Sequence, residues 1–156
     1  MTTTATKREH DVELPARLRL AITRMARRLR QEAGTDLGPS QAAALATIER
    51  HGPLAPSELA ARERIKRPTA TRILARLTEL GLVDRIPDPT DRRCAIVSVS
   101  PEGRALLRRL RQRKTAYLAT RLRELPAEDV EALERAAEVL SKMFDDEAES
   151  EGERVV

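Results

Sequence analysis

The sequence is poor in the residues that build disulfides, metal clusters and aromatic cores. Of its 156 residues one is cysteine and two are histidine, and Tyr117 and Phe144 are the only aromatic residues. Because Cys94 stands alone, the chain cannot form an intrachain disulfide or a cysteine-based zinc cluster, which fits a reducing compartment. His10 and His51 are far apart in the sequence and have no clustered ligands beside them, so we predict no metal site and no cofactor.

Long hydrophobic runs and enzyme motifs are also missing. Charged residues interrupt every apolar segment, so none reaches the length of a signal-peptide core or a membrane span. There is no phosphate-binding glycine loop, no HExxH motif and no nucleophile with a plausible base. We therefore expect a soluble, cytoplasmic protein that is not an enzyme and has no membrane partner.

The residues that are abundant favour a helical, basic domain. Alanine, leucine, arginine and glutamate dominate, and 156 residues suit one domain with its own core. The formal net charge is +4, but without the acidic residues 145–156 the chain has 28 basic and 19 acidic residues, a net charge of +9. This surplus fits a nucleic-acid partner, although an anionic membrane surface or an arginine-rich genome would also account for it.

Proline and glycine divide the chain into helices. Residues 1–13 are polar and have no apolar period, so we interpret them as a flexible arm, and residues 145–156 as an acidic, disordered tail. Apolar residues step by three and four from Leu14 to about Ala33, which predicts an amphipathic helix that ends at Gly34. Five prolines stand where helices are expected to begin: Pro39, Pro56, Pro68, Pro101 and Pro126. The helix after Pro39 should run to about Arg50 with its apolar face formed by Ala43, Ala44, Leu45 and Ile48.

The segment 68–81 predicts a helix with two different faces. The expected core-facing residues recur at spacings of three and four: Ala70, Ile73, Leu74, Leu77 and Leu80. The opposite side carries Thr69, Arg72, Arg76 and Glu79. A short helix, 57 to about 63, precedes it across a tight turn, which is helix-turn-helix spacing. Residues 82–86 and 94–99 are β-prone, and the charged residues 87–93 between them predict a hairpin with a protruding tip.

The two ends of the chain predict long helices that need a partner. A helix should run from Pro101 to about Arg123, and the helix after Pro126 repeats apolar residues in a four-three rhythm. Neither terminal helix can bury its stripe against so small a centre, so we expect packing against a second subunit. The residues predicted to form this homodimer are Leu14, Leu18, Ile22, Leu133, Leu140 and Phe144.

Several motifs in order make residues 14–144 resemble the MarR family of bacterial transcription regulators, which are winged-helix homodimers. The matching segments are 58–60 (ELA), 68–72 (PTATR), 77–82 (LTELGL), 88–93 (DPTDRR) and 99–103 (VSPEG). The resemblance implies a mostly α fold: a winged helix-turn-helix with a two-stranded β-wing, and long N- and C-terminal helices that form a dimerisation region. The dimerisation helices would occupy 14–36 and 101–144, and the DNA-binding part 37–100.

The resemblance also implies which residues contact double-stranded DNA. The helix 68–80 would be the recognition helix in the major groove, and the hairpin tip would reach the minor groove. The implied contact residues are Pro68, Thr69, Thr71, Arg72 and Arg76 on the helix, and Asp91, Arg92 and Arg93 on the wing, where Asp91 would hold Arg93 in place. Arg64, Lys66 and Arg67 are additional basic candidates. A guanidinium suits both a guanine edge and a narrow minor groove.

The sequence departs from the family pattern at two places. Glu63 and Arg64 stand where the family usually has leucine and then glycine, so Arg64 must adopt the backbone shape that glycine normally supplies. Glu63 must direct its carboxylate away from the core. The first helix also lacks the cysteine of the peroxide-sensing branch of the family, so peroxide sensing by that route is not expected.

We therefore predict a sequence-specific DNA-binding transcriptional regulator. The resemblance implies a homodimeric repressor that binds an inverted-repeat operator and is released by a small-molecule effector. The alternative is a helical protein-interaction or membrane-surface module that keeps a winged-helix core without specific DNA binding. Such a module would show no sequence preference and would lose little when Arg72 or Arg93 is changed.

Overall fold

The computed structural model describes residues 3–91 and 94–152, with side chains between Glu13 and Met143. These residues form helices and two strands in the order α1 (Thr3–Ala33), α2 (Pro39–His51), α3 (Pro56–Arg62), α4 (Arg67–Glu79), β1 (Val83–Pro87), β2 (Ala95–Val99), α5 (Pro101–Arg123) and α6 (Ala127–Gly152). The mostly helical fold with one hairpin confirms the predicted fold class. Among the helices that the structure describes, none is long and apolar enough to cross a membrane.

The helix boundaries confirm the interpretation of the prolines. Pro39, Pro56 and Pro101 are the first residues of α2, α3 and α5, Pro68 is the second residue of α4, and Pro126 directly precedes α6. At these positions the missing N–H would have had no partner within the helix. At the N-termini of α2 and α3 the side chain of the third helical residue accepts a further hydrogen bond. The Gly38 N–H donates to Gln41 Oε1 at 3.1 Å, and the Ala55 N–H donates to Glu58 Oε2 at 2.7 Å.

The two chain ends differ from the sequence-based expectation. α1 begins at Thr3, within the predicted flexible arm, and α6 continues to Gly152, within the predicted disordered tail. Apolar residues that recur at helical spacing indicate a helix that is buried against a core. Alanine, glutamate, lysine and arginine favour a helix even where nothing is buried. The lack of a period therefore did not exclude helix at either end.

The chain divides into two compact units, Met1–Thr115 and Ala116–Val156. This boundary falls within α5, so the segment 101–144, which was expected to act as one dimerisation region, is shared between the two units. The first unit contains the hydrophobic core, which draws on α2, α3, α4, both strands and the first turns of α5. The winged helix-turn-helix therefore supplies its own core.

The buried face of α4 is nearly the one that the sequence predicts. Ala70, Ile73, Leu74 and Leu77 are buried, but Leu80 is 41% exposed, which corrects the prediction. Leu80 is the C-cap residue of α4 and its N–H still donates to the Arg76 carbonyl at 3.1 Å, so it continues the helical period, but at the edge of the buried stripe and at the end of the helix, where its side chain is only partly covered. Ala43 of α2 is likewise exposed rather than core, because the buried stripe of that helix is Ala44, Leu45 and Ile48.

The wing is an antiparallel pair in which Val83 lies opposite Val99 and Pro87 opposite Ala95. Leu54, in the link between α2 and α3, adds a short bridge to β2. Its N–H donates to the Val97 carbonyl at 2.9 Å, and the Val97 N–H donates back at 2.8 Å. The hairpin is therefore attached at its base to the helix-turn-helix.

Candidate nucleic-acid interface

α4 presents a polar, positively charged face opposite its buried face. Pro68, Thr71, Arg72 and Arg76 are exposed and Thr69 is half-buried, as expected for an outward face. The helix has 13 residues, which corresponds to about 20 Å. With side chains an α-helix is about 10–12 Å in diameter, so α4 fits the major groove of B-DNA, which is about 12 Å wide. The structure therefore brings the five predicted recognition-helix residues together on one accessible surface.

The hydroxyl groups of the first turn differ in what they can offer a ligand. The Thr71 hydroxyl donates to the Arg67 carbonyl of its own helix at 3.0 Å, so its oxygen remains available mainly as an acceptor. The amide of Thr69 is bonded to the Lys66 carbonyl at 2.9 Å. The short side chains at this end of α4 leave the backbone open to close approach.

Arg76 forms an ion pair with Glu79, three residues further along the helix. Its Nη1 lies 3.2 Å from Glu79 Oε2, and the two side chains are 54% and 66% exposed. Pairs at this exposure contribute about 0–1 kcal/mol, because water and salt screen them. Arg76 can therefore exchange Glu79 for a phosphate at little cost.

A groove of about 290 Å³ joins the start of α4 to the start of α2. It is lined by Gly38, Pro39, Ser40, Gln41, Thr69, Arg72 and Ile73. The sequence pattern indicated Thr69 and Arg72, but it did not indicate Ser40 and Gln41. These two residues begin a helix some thirty positions earlier, and only the packing of α2 beside α4 brings them to this surface, so no local signal could have found them.

The turn between α3 and α4 carries three exposed basic residues, Arg64, Lys66 and Arg67. Arg64 has a φ of 52°, in the left-handed region that glycine adopts most easily. This confirms the expectation that Arg64 takes the shape glycine would supply. The Glu63 carboxylate avoids the core because its Oε1 accepts a hydrogen bond from the Thr47 hydroxyl of α2.

The wing tip is shaped by Asp88, whose Oδ1 accepts hydrogen bonds from the Thr90 N–H at 2.8 Å and from the Thr90 hydroxyl at 2.7 Å. The bond from the Thr90 amide lowers the pKa of Asp88, and the bond from its hydroxyl adds to the effect. Arg92 and Arg93 lie outside the described residues, and so does the predicted contact between Asp91 and Arg93.

Cys94 follows the wing tip and its side chain is exposed, with Sγ 3.7 Å from Asp91 Oδ2. The negative charge of Asp91 is the main cause that raises the pKa of the Cys94 thiol. A raised pKa lowers the fraction of reactive thiolate near neutral pH. Among the described residues, no group of three or more histidine, cysteine, aspartate or glutamate side chains could hold a metal ion.

The base of the wing is joined to α4 and α5 through Ser100, which is 2% exposed. Its hydroxyl donates to the Gly81 carbonyl at 2.6 Å and accepts from the Gly103 N–H at 3.0 Å, and its own N–H donates to the Leu82 carbonyl at 3.0 Å. A buried serine therefore links the end of the candidate recognition helix, the wing and α5.

Comparisons with known proteins agree with this geometry. A MarR family model matches residues 35–93. An HTH-type transcriptional regulator of Mycobacterium leprae is 36% identical over 139 residues, covering 88% of this chain and 97% of the relative. The multiple antibiotic resistance protein MarR of Salmonella typhimurium is 32% identical over 100 residues, covering 64% of this chain and 69% of the relative.

Solved structures share the fold over most of the chain. A crystal structure of a transcriptional regulator from Pseudomonas aeruginosa has a TM-score of 0.78 and 34% identity, covering 86% of this chain and 95% of that chain. A MepR mutant of S. aureus, bound to an oligodeoxyribonucleotide, has a TM-score of 0.66 and 20% identity, covering 85% and 96%; at this identity the likeness concerns the fold. Because the family and these relatives are transcriptional regulators, the chain is not an enzyme. The exposed face of α4, the wing and these matches together show that the chain belongs to the MarR family of winged helix-turn-helix, DNA-binding transcriptional regulators.

Proposed function

We propose that the chain acts in the cytoplasm as a homodimeric repressor that binds an inverted-repeat operator and is released by a small-molecule effector. The observation that carries the DNA-binding part is the exposed face of α4, where Thr69, Thr71, Arg72 and Arg76 lie opposite a fully packed core face. Arg64, Lys66 and Arg67 extend positive charge along one end of that face. Such a surface can contact the DNA phosphates while its arginines form hydrogen bonds with base edges.

Within this proposal the wing contacts the adjacent minor groove. Arg93 enters the groove where A·T pairs narrow it, Asp91 holds Arg93 in place through a charge-assisted hydrogen bond, and Arg92 adds a second cation to the wing. The attachment of β2 to Leu54 and of the wing base to Ser100 supports this role, because a tip on a fixed base can be directed at one groove.

The proposed dimer uses apolar residues that one chain leaves exposed. On α1 these are Leu14, Leu18, Leu20, Ile22 and Met25, which are 36–55% exposed. On α6 Leu133, Val139 and Met143 are 48–58% exposed, and Leu140 is half-buried. Phe144 lies on α6, but its side chain is outside the described ones. Apolar area of this extent supports burial against a second copy.

The proposed effector is a small acidic molecule with an apolar body. A cleft of about 240 Å³ is lined by Arg27, Arg30 and Lys114 around an apolar floor that includes Leu37 and Leu110. A neighbouring cleft of about 320 Å³ shares both leucines and adds Arg109 and Arg113 of α5, together with Asp36. Cations at the rim suit a carboxylate, and the apolar floor suits the rest of such a molecule.

Selection of bound sites from random DNA by the purified protein tests the proposal. We expect an inverted repeat with half-sites about one helical turn apart. On the selected site, Arg72→Ala should cost about 1–3 kcal/mol and relax base preference, and Arg93→Ala should weaken binding mainly at A·T-rich positions. Arg135→Ala, in the middle of α6, is the matched control, because it also removes one exposed arginine.

The salt dependence of affinity distinguishes sequence-specific DNA binding from non-specific electrostatic attraction. Affinity should fall with salt at a slope of about −0.9 for each phosphate neutralised, and Arg76→Ala should reduce that slope by about 1. If wild type and the Arg72 and Arg93 variants bind the selected site and random DNA equally well at moderate salt, the regulator mechanism is wrong. The protein-interaction or membrane-surface module would then be the better description.

A further inference from the structure

The turn before the recognition helix has the same backbone design as the turn after it, but a different residue at the critical position. At the end of α3 the Ile65 N–H donates to the Ala60 carbonyl at 2.9 Å and the Arg64 N–H to the Ala61 carbonyl at 3.2 Å. This pair of bonds defines a Schellman cap, whose central residue has a positive φ.

The end of α4 repeats this cap with glycine. The Leu82 N–H donates to the Leu77 carbonyl and the Gly81 N–H to the Thr78 carbonyl, both at 2.9 Å, and Gly81 has a φ of 69°. The turn at Arg64 therefore carries a side chain where the equivalent turn uses glycine. A residue with a Cβ is sterically strained at a positive φ, so the cap at Arg64 depends more on the contacts around it than the cap at Gly81 does.

Glu63 supplies one such contact, and it crosses from one helix to another. The Thr47 hydroxyl of α2 donates to Glu63 Oε1, which joins residues 16 positions apart. Both side chains are half-buried, and the acceptor is charged, which makes this bond stronger than one between neutral groups. This hydrogen bond between side chains ties the end of α3 to α2.

The donor is on a firmly held helix. Thr47 follows the buried residues Ala44 and Leu45 of α2 and precedes Ile48, which is also buried. Two positions beyond Thr47, Glu49 forms an ion pair with Arg111 of α5. α2 can therefore act as a fixed support against which the end of α3 is held.

The link from Glu63 to α4 is short. Three residues separate Glu63 from Arg67, the first residue of α4, and the Lys66 carbonyl accepts the first amides of that helix, those of Thr69 at 2.9 Å and Ala70 at 3.1 Å. A shift of the turn therefore moves the end of α4 that carries Thr69, Thr71 and Arg72.

We propose that Glu63 is a positioning residue for DNA recognition: by accepting the Thr47 hydroxyl, it fixes the turn that sets where α4 begins. This inference rests on the proposed DNA contact of α4. Loss of the bond leaves the core intact but allows the start of α4 to occupy positions that do not fit the groove. Affinity then falls in proportion to the fraction of molecules that are correctly placed.

Three variants separate this role from the charge of Glu63. Thr47→Val removes the donor without changing shape or charge, Glu63→Ala removes the acceptor and the charge, and Glu63→Gln removes the charge but keeps an acceptor oxygen. Thr23→Val is the matched control, because the Thr23 hydroxyl donates only within α1, to the Arg19 carbonyl at 2.8 Å. Arg72→Ala reports separately on the proposed DNA contact.

Each variant is measured for affinity to the selected operator and for amide exchange at Thr69 and Ala70. We expect Thr47→Val and Glu63→Ala to bind about five- to tenfold more weakly, with exchange at these two amides faster by a similar factor. Glu63→Gln should lie between wild type and Glu63→Ala in both measurements, because it keeps an acceptor oxygen but loses the charge that strengthens the bond. Thr23→Val should retain wild-type affinity and exchange. Thermal unfolding confirms that each variant is folded at the temperature of the assay.

The outcomes are distinguishable. If Thr47→Val binds and exchanges like wild type while Arg72→Ala loses affinity, the positioning role is wrong and the DNA contact stands. If Glu63→Ala and Glu63→Gln both bind more tightly by the same factor, Glu63 acts only by repelling phosphate, which also overturns the inference. If wild type shows no preference for any site, the proposed function fails, and the positioning role falls with it whatever the exchange shows.

Discussion

Removing the Ser100 hydroxyl should loosen the junction between the recognition helix, the wing and α5. This one oxygen donates to the Gly81 carbonyl at 2.6 Å and accepts from the Gly103 N–H at 3.0 Å, and the side chain is buried. Ser100→Ala breaks both bonds and leaves a methyl group in their place. The Ser100 N–H keeps its bond to the Leu82 carbonyl, because that bond belongs to the backbone.

The cost can be estimated bond by bond. Ser100 occupies the N-cap of α5, and replacing such a serine by alanine costs about 1 kcal/mol. The Gly81 carbonyl is left without its donor in a partly buried place, which costs about 1 kcal/mol more. The total of about 2 kcal/mol should lower Tm by about 4–8 °C for a chain of this size.

Urea unfolding followed by circular dichroism gives the free energy of unfolding, and calorimetry gives Tm. Ser57→Ala is the matched control, because Ser57 is exposed in the first turn of α3, where we expect a change within about 0.5 kcal/mol. If Ser100→Ala costs no more than this control, the bonds of the hydroxyl do not hold the junction.

Three further perturbations test particular conformations. In urea unfolding, the Arg64→Gly variant should have a free energy of unfolding about 0.5–1 kcal/mol higher than the Arg64→Ala variant. The reason is that alanine keeps a Cβ at the φ of 52°, whereas glycine has none. A higher stability of the alanine variant would refute strain at this turn. Gly103→Ala should lower the free energy of unfolding by about 1–3 kcal/mol or more in the same assay, because the added Cβ would lie 2.2 Å from the Leu82 carbonyl oxygen. An unchanged free energy of unfolding would contradict this close packing. The lowered pKa of Asp88 means that its bonds to Thr90 are kept at pH values above the ordinary 3.8 and are lost as pH falls through the lower folded value. The Thr90 amide should therefore stay protected, relative to the intrinsic exchange rate at each pH, down to about pH 4, and loss of this protection well above pH 4 would be the wrong result.

Local signals in the sequence were sufficient for most of the architecture. Proline marked the helix starts because its missing N–H and fixed φ are tolerated there, and glycine marked the ends of α1 and α4, where Gly34 and Gly81 have φ values of 59° and 69°. The apolar period placed Ile73, Leu74 and Leu77 in the core. These features depend on residues within one or two turns of each other, so a single sequence contains them.

Contacts between distant segments were not predicted. The bridge between Leu54 and Val97 joins residues 43 positions apart, and neither residue has a local pattern that indicates the other. The position of Ser40 beside Arg72 likewise depends on how α2 packs against α4. Such placements follow from the three-dimensional packing of the core, which a period along one element does not encode.

Arg64 shows how a local irregularity in the sequence can indicate a functional compromise. Its positive φ costs about 1 kcal/mol relative to glycine, which the same cap uses at the end of α4. Glycine at this turn would remove that cost but would also remove an exposed cation beside Lys66 and Arg67. An ion pair between this cation and one DNA phosphate can offset a strain of this size, in addition to the bond between Thr47 and Glu63 that holds the turn. Arg64→Gly should therefore stabilise the turn relative to alanine and, in the same protein, reduce the salt dependence of DNA binding.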